Sequence, residues 1–180
     1  KTLGQNVESP VIDFYTQENV LFSGKSTVKD GYFNFEFIVP KDIDFNYGKG
    51  KASFYAWSTD NRNGGGYSKS LYVGGIDTNG VNDSQGPQID LYLNSPDFVN
   101  GGITDETPVL IAKIFDESGI NTVGNGIGHD LTLIIDNKAS QAKVLNEFYT
   151  TDLDTYKSGQ LRYQLEKLAP GRHTLSLKAW

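Results

Sequence analysis

The chain has 180 residues, a net charge of −6 and no cysteine. Disulfides, a thiolate nucleophile and cysteine-ligated zinc are therefore excluded within it, and its acidity speaks against a nucleic-acid partner, which would want a basic stripe. No apolar run approaches the ~20 residues of a membrane helix and no signal-peptide pattern opens the chain, so membrane insertion is not expected.

Hydrophobic residues make up only 37% of the chain, while 20 Gly, 10 Tyr and 10 Phe point to many turns and aromatic-rich strands. In chain order, Val11–Phe14 reads as a short opening strand and Val20–Val28 as a second, with a bulge at Gly24. Tyr32–Val39 follows, with Phe33, Phe35, Phe37 and Val39 on one face, and Lys51–Ser58 is expected to pair with it. Ser68–Val73 completes a first unit. Gly-Gly, Asn-Gly and Gly-Pro then mark a turn-rich linker within Gly74–Pro87. Beyond it, alternation predicts strands at Gln88–Leu93, Val109–Phe115 (Leu110, Ala112 and Ile114 inward), Leu131–Asp136, Lys143–Leu145, Gly159–Leu165 and His173–Trp180. Only Glu147–Asp154 could hold a helical turn.

A pattern is written twice. Gly31 opens a strand that leads through Pro40 to a second strand ending Ala56-Trp57; Gly159 opens another that leads through Pro170 to Ala179-Trp180. The reading is all-β: tandem immunoglobulin-like antiparallel sandwiches over residues 1–78 and 88–180, joined by a linker at 79–87. Each unit is expected to close with the same hairpin. Since the chain starts without methionine and stops inside a strand pattern, the second sandwich is expected to be truncated. Residues 1–80 carry 8 Lys and Arg against 9 Asp and Glu, and residues 81–180 carry 8 against 13, so most of the acidity falls in the second unit. Trp57 and Trp180 should both face outward, Trp180 the more exposed.

Candidate chemistry is sparse. His129 precedes Asp130 in a glycine-rich run, but a Ser-His-Asp triad needs a strained nucleophile turn and an oxyanion hole, and no Gly-x-Ser-x-Gly occurs. The run is better read as a structural loop built from Asp116, Gly119, Gly124, Gly126, Gly128, His129 and Asp130, its glycines admitting positive φ and Asp116 accepting loop amides. His173 reads as structural. In the linker, Asp77, Asn79 and Asp83 are candidate calcium ligands, although the spacing is not that of an EF-hand and the same residues are ordinary turn formers. No other cofactor is indicated. Tyr55, Trp57, Tyr67 and Tyr72 could form an aromatic face for sugars, or could be packing residues.

The run Asp116-Glu117-Ser118-Gly119-Ile120-Asn121-Thr122-Val123-Gly124-Asn125-Gly126-Ile127-Gly128-His129-Asp130 resembles the PorU family, the gingipain-like sortases of the type IX secretion system in Bacteroidetes. Phe37-Ile38-Val39-Pro40-Lys41-Asp42-Ile43, Ile89-Asp90-Leu91-Tyr92-Leu93-Asn94 and Gly171-Arg172-His173-Thr174-Leu175 are similar to the same family, in order along nearly the whole chain. The resemblance implies a parent cysteine peptidase that removes the C-terminal signal of exported cargo and attaches the cargo to the cell surface. These β-domains would follow its peptidase domain. The family's catalytic cysteine has no counterpart here, so no catalytic residue carries over. The implied partners are the peptidase domain of the same chain and type IX components or cargo signal domains, and the implied location is exported, at the outer membrane or cell surface. A structural and docking module is one reading; a surface glycan- or protein-binding adhesin-like module is the other.

Overall fold

The computed structural model describes residues 2–3, 12–13, 20–39, 47–75, 77–78, 80, 83, 85–122 and 129–180. Among them the chain is built of antiparallel strands and two single 3-10 turns, Ala139–Gln141 and Asn146–Phe148. The earlier strands are β1 (Thr2–Leu3), β2 (Ile12–Asp13), β3 (Gly48–Lys49), β4 (Ala52–Trp57), β5 (Asn63–Ser68) and β6 (Tyr72–Val73). The later ones are β7 (Gln88–Leu93), β8 (Val109–Phe115), β9 (Thr132–Ile135), β10 (Lys143–Val144), β11 (Tyr149–Thr151), β12 (Ser158–Gln164) and β13 (Leu175–Lys178).

Residues 88–180 form a two-layer sandwich. One sheet has the order β11-β12-β8-β7, the other β10-β9-β13. Alternation along β8 sends Leu110, Ala112 and Ile114 inward, where they meet Leu131 and Leu133 from the facing sheet together with Leu145, Leu161 and Leu165. All are sealed from solvent. Ile111, on the other face of β8, is equally buried; its cross-strand neighbours Tyr92 and Arg162 flank it there.

Residues 20–75 are organised differently. Strands pair only two by two, β3 with β6 and β4 with β5. At the Asp30-Gly31 turn both central residues have positive φ (53° and 83°), and Lys29 and Tyr32 exchange two backbone hydrogen bonds of 2.9 Å. The Ser26 hydroxyl then donates to the Asn34 carbonyl across that turn.

Three expectations are corrected. Tyr32–Val39 carries no strand ladder, and β4 pairs with β5 instead, in register Ala52↔Ser68 to Trp57↔Asn63. The phenylalanines of Tyr32–Val39 meet β4 through rings, Phe33 lying 5.3 Å and Phe35 6.1 Å from Phe54. Strand β5, Asn-Gly-Gly-Gly-Tyr-Ser, escapes a periodicity reading because glycine has no side chain to alternate. Val20–Val28 is not a strand either; only Lys25 makes an isolated parallel bridge, to Leu153. Nor does the second copy of the repeat close as a hairpin. β12 and β13 lie in different sheets, so the Pro170-Gly171 connection crosses between layers.

Candidate functional site

The loop entered at Asp116 is tied at both ends. Asp116 is buried; its carboxylate accepts the Ser118 amide at 2.8 Å, its carbonyl accepts the Gly119 amide at 3.1 Å, and its own N–H donates to Lys157. Gly119 has φ +85°, and a Cβ there would stand 2.9 Å from the Tyr156 ring, so glycine is required twice over. Gly124, Gly126 and Gly128 lie outside the described residues. Where the chain returns, the His129 ring packs 4.9 Å from that of Trp180, tilted by 52°.

Asn146 holds that return. Its amide donates to the Asp130 carboxylate at 2.8 Å and to the Thr122 carbonyl at 3.4 Å, while its carbonyl oxygen accepts the Leu131 amide at 2.7 Å. This residue was not singled out from sequence; the signal available was an asparagine directly after a strand pattern, a position suited to bonding backbone groups. His129 thus packs on Trp180, while the Asp130 carboxylate is held by Asn146 and its carbonyl accepts the Thr132 hydroxyl at 3.1 Å.

In the linker, the Asp77 carbonyl accepts the Gly80 amide at 3.3 Å and the Asp83 carboxylate accepts the Gln85 amide at 2.9 Å. Both are turn geometry. Asn79 lies outside the described residues, and among the described ones no three His, Asp or Glu side chains converge as a metal site would need.

His173 latches the far end of the sandwich. Its Nδ1 lies 2.9 Å from the Asp136 carboxylate and its Nε2 2.7 Å from the Ala169 carbonyl. The Ala169 carbonyl first and Asp136 second hold the imidazole above its ordinary pKa, against a smaller opposing effect of desolvation. Hydrogen bonds from the Thr174 backbone, then from His173, hold Asp136 below the usual carboxylate range. Burial pushes the Tyr149 phenol up.

Two features involve residues 20–75. A cleft of about 340 Å³ opens between them and the sandwich, lined by Phe22, Lys25 and Glu36 on one side and Asp154, Tyr156 and Lys157 on the other. Beside it, the Asp154 carboxylate accepts both the Thr27 amide and the Thr27 hydroxyl at 2.6 Å, and the Asp154 amide donates to the Lys25 carbonyl at 3.0 Å. On the outer face of the β4–β5 hairpin, the Tyr55 and Trp57 rings stand side by side, 6.1 Å apart and 27° from parallel. Tyr67 shares that face, because it pairs directly with Ser53. Tyr72 instead pairs with Lys49 in the β3–β6 ribbon. Both tryptophans are exposed, but in the reverse of the expected order: Trp57 is 68% exposed and Trp180 51%. His129 covers part of Trp180, and the Trp180 carbonyl is held by the Asn121 amide.

A solved structure, the crystal structure of dimeric latent PorU from Porphyromonas gingivalis, is similar to the chain with a TM-score of 0.53 and 35% sequence identity, over 85% of this chain and 14% of that one. The chain is PorU-like. It spans only that 14% of the length of PorU, so the similarity concerns a small part of the larger protein. No family model matches the PorU-like chain, and no curated protein matches it in sequence.

Proposed function

We propose that the chain is a non-catalytic β-sandwich module of a PorU-like sortase of type IX secretion, with a structural and docking role beside the peptidase domain of the same polypeptide. The observation that carries this reading is the 35% identity to a minor part of PorU, over 85% of the chain, in a chain without cysteine. The parent would be an exported cysteine peptidase at the outer membrane or cell surface that removes the C-terminal signal of cargo. Its type IX partners or cargo signal domains would meet this module on surfaces outside the closed core. Division into units at 1–78 and 88–180 belongs to the same proposal, and the change from two-stranded ribbons to one sealed sandwich supports it.

The test is a chimaera. Deleting the matching segment from Porphyromonas gingivalis PorU should leave cargo unprocessed in cells, and inserting this chain in its place should restore processing. Normal processing by the deletion variant would refute the role. The purified chain should also leave peptide substrates intact; turnover that disappears in His129→Ala would show catalysis where none is proposed.

A further inference from the structure

The tripeptide Asn-Gly-Gly occurs twice among the described residues, as Asn63-Gly64-Gly65 and as Asn100-Gly101-Gly102. Both copies are exposed, yet the fold holds them differently. The first lies inside β5. Ser58 donates its backbone N–H to the Arg62 carbonyl at 2.9 Å, and in an antiparallel ladder the bonded pairs recur at every second residue. The next bonded pair is therefore Ala56 with Gly64. The Gly64 amide is engaged in the ladder, and Asn63 is held extended opposite Trp57.

The second copy forms the tip of the loop between β7 and β8. Gly102 donates its amide to the Val99 carbonyl at 2.9 Å and Gly101 has φ +84°, the signature of a type II turn. That bond uses the Gly102 N–H. Among the described residues neither the Gly101 amide nor the Asn100 carboxamide makes a hydrogen bond. The base of the loop, by contrast, is strapped: the Asn94 carboxamide donates to Thr104 Oγ1 at 3.0 Å and to the Asp105 carboxylate at 2.6 Å, and accepts the Val109 amide at 2.8 Å. Nothing covers the tip, where Val99 is 74% and Ile103 100% exposed.

We infer that Asn100 is a site of spontaneous covalent modification, deamidation through a cyclic imide with water as the only co-reactant, and that the fold spares Asn63. The Gly101 amide nitrogen gives its proton to solvent base and attacks the Asn100 Cγ. The Cγ–Nδ2 bond breaks and ammonia leaves, closing a five-membered imide. Water then opens the ring at either carbonyl: one way restores the original peptide bond and yields aspartate, the other leaves the chain linked through Cγ as isoaspartate. Nothing is oxidised or reduced. Glycine at 101 matters because it has no Cβ to obstruct the approach to the carboxamide. Either product sets a new carboxylate on a loop that already carries Asp97 and Asp105. Isoaspartate also lengthens the main chain by one methylene between Val99 and Gly102, which breaks the turn. The inference is independent of the docking role: the chimaera reads processing, the experiment below reads mass and linkage.

The 180-residue chain would be held in mildly alkaline buffer, folded and, in parallel, unfolded in urea. Peptide mapping with fragmentation reads each asparagine separately, from the mass gained as NH2 becomes OH, and labelling by protein isoaspartate methyltransferase reads the altered linkage. In the folded chain Asn100 should convert at least about tenfold faster than Asn63, because freeing the Gly64 amide requires local opening of the ladder. In urea the two should convert at similar rates, since they share the Asn-Gly-Gly sequence and differ only in the preceding residue, Val99 against Arg62. Asn100→Gln, whose imide would need a six-membered ring, should remove the conversion at position 100 and leave that at Asn63 unchanged. Equal rates at Asn63 and Asn100 in the folded chain would overturn the inference. So would conversion of Asn100 seen only in urea, or a rate difference that persists undiminished there, which would trace it to sequence and not to the fold.

Discussion

Residues 20–75 and 88–180 are both β-rich and both carry an alternating segment followed by a stretch that ends in Ala-Trp, yet different side chains pack them. In the later region, Leu and Ile from two sheets close on one another, and every fully buried apolar side chain among the described residues lies between Pro108 and Leu165. The earlier region contributes none. It has a row of phenylalanines, Phe22 stacked on Phe37 at 4.8 Å and Phe33, Phe35 and Phe37 spaced by 6.3 Å, all partly open to solvent. A sealed aliphatic layer makes a region stable in its own right, because stability follows apolar area removed from water. An aromatic row with one side uncovered gives shape and surface at less stability. For the proposed docking role, the difference favours anchoring by the later region and contact through the earlier one.

The largest expected effect would test this directly. Leu133→Ala, at a fully buried position in the same core cluster as Leu110 and Ile114, should destabilise the chain by about 2–5 kcal/mol. Phe35→Ala, at a residue 43% exposed, should cost about 1 kcal/mol, the scale of one aromatic pair. Thermal unfolding of both variants measures the contrast. Equal losses would mean that the aromatic row is as much a core as the sandwich is.

That contrast also explains what could be read from sequence. Strands β7, β8, β9 and β12 were legible because each lays an apolar face on a closed core, which favours alternation along most of their length. The same alternation at Phe33, Phe35 and Phe37 was real as a shared face and misleading as a ladder, since ring stacking satisfies it without backbone pairing. Glycine-rich β5 and the layer-crossing β12–β13 connection leave no periodic trace, because pairing partners are chosen by topology and not by local pattern. Of the loop residues, Asp116 and Gly119 carry recognisable turn chemistry, while Asn146 acts from 15 residues beyond Leu131 and could not be seen locally.

Asn146→Ala is the next largest perturbation. It removes the acceptor of the Leu131 amide and the donor to Asp130, leaving a backbone N–H at the edge of the core unsatisfied, for an expected loss of about 1–3 kcal/mol. Asn146→Asp keeps the acceptor but sets a carboxylate against Asp130, so it should also destabilise, and less so at low pH. Faster hydrogen exchange at the Leu131 amide in Asn146→Ala would locate the effect. Unchanged exchange there would show that the loop is held from elsewhere.

A smaller effect is expected at the contact between the regions. Asp154→Ala removes both acceptors of Thr27 and should quicken exchange of the Thr27 amide while leaving the unfolding of the sandwich core nearly unchanged. Hydrogen bonds from the Thr27 side chain and then its backbone hold the Asp154 carboxyl below its ordinary pKa, so Asp154 should titrate lower in the chain than in Thr27→Ala. If Asp154→Ala instead lowered the melting temperature as much as Leu133→Ala, the two regions would share one cooperative unit, and their assignment to separate roles would fall.

The smallest effect is a pH dependence confined to the sandwich. His173 has a raised pKa in the folded chain, so its contribution is fully present below the ordinary imidazole value of 6.5 and is lost as pH rises through the folded value. Asp136 has a lowered pKa, so its contribution is present above the ordinary 3.8 and is lost as pH falls through the folded value. Both groups are charged and paired between those limits, where the latch between Asp136 and the Ala169–Thr174 connection should be tightest. The melting temperature should therefore drop slightly from about pH 6 to about pH 8.5, and the drop should vanish in His173→Gln. Because the latch fixes the crossing from β12 to β13, the weakening should appear in exchange of the Thr174 and Asp136 amides, which bond to Asp136 and Thr174 respectively, and not in residues 20–75. An equal pH response at the Thr27 amide would show that the earlier region feels the latch, and that the sandwich does not titrate alone.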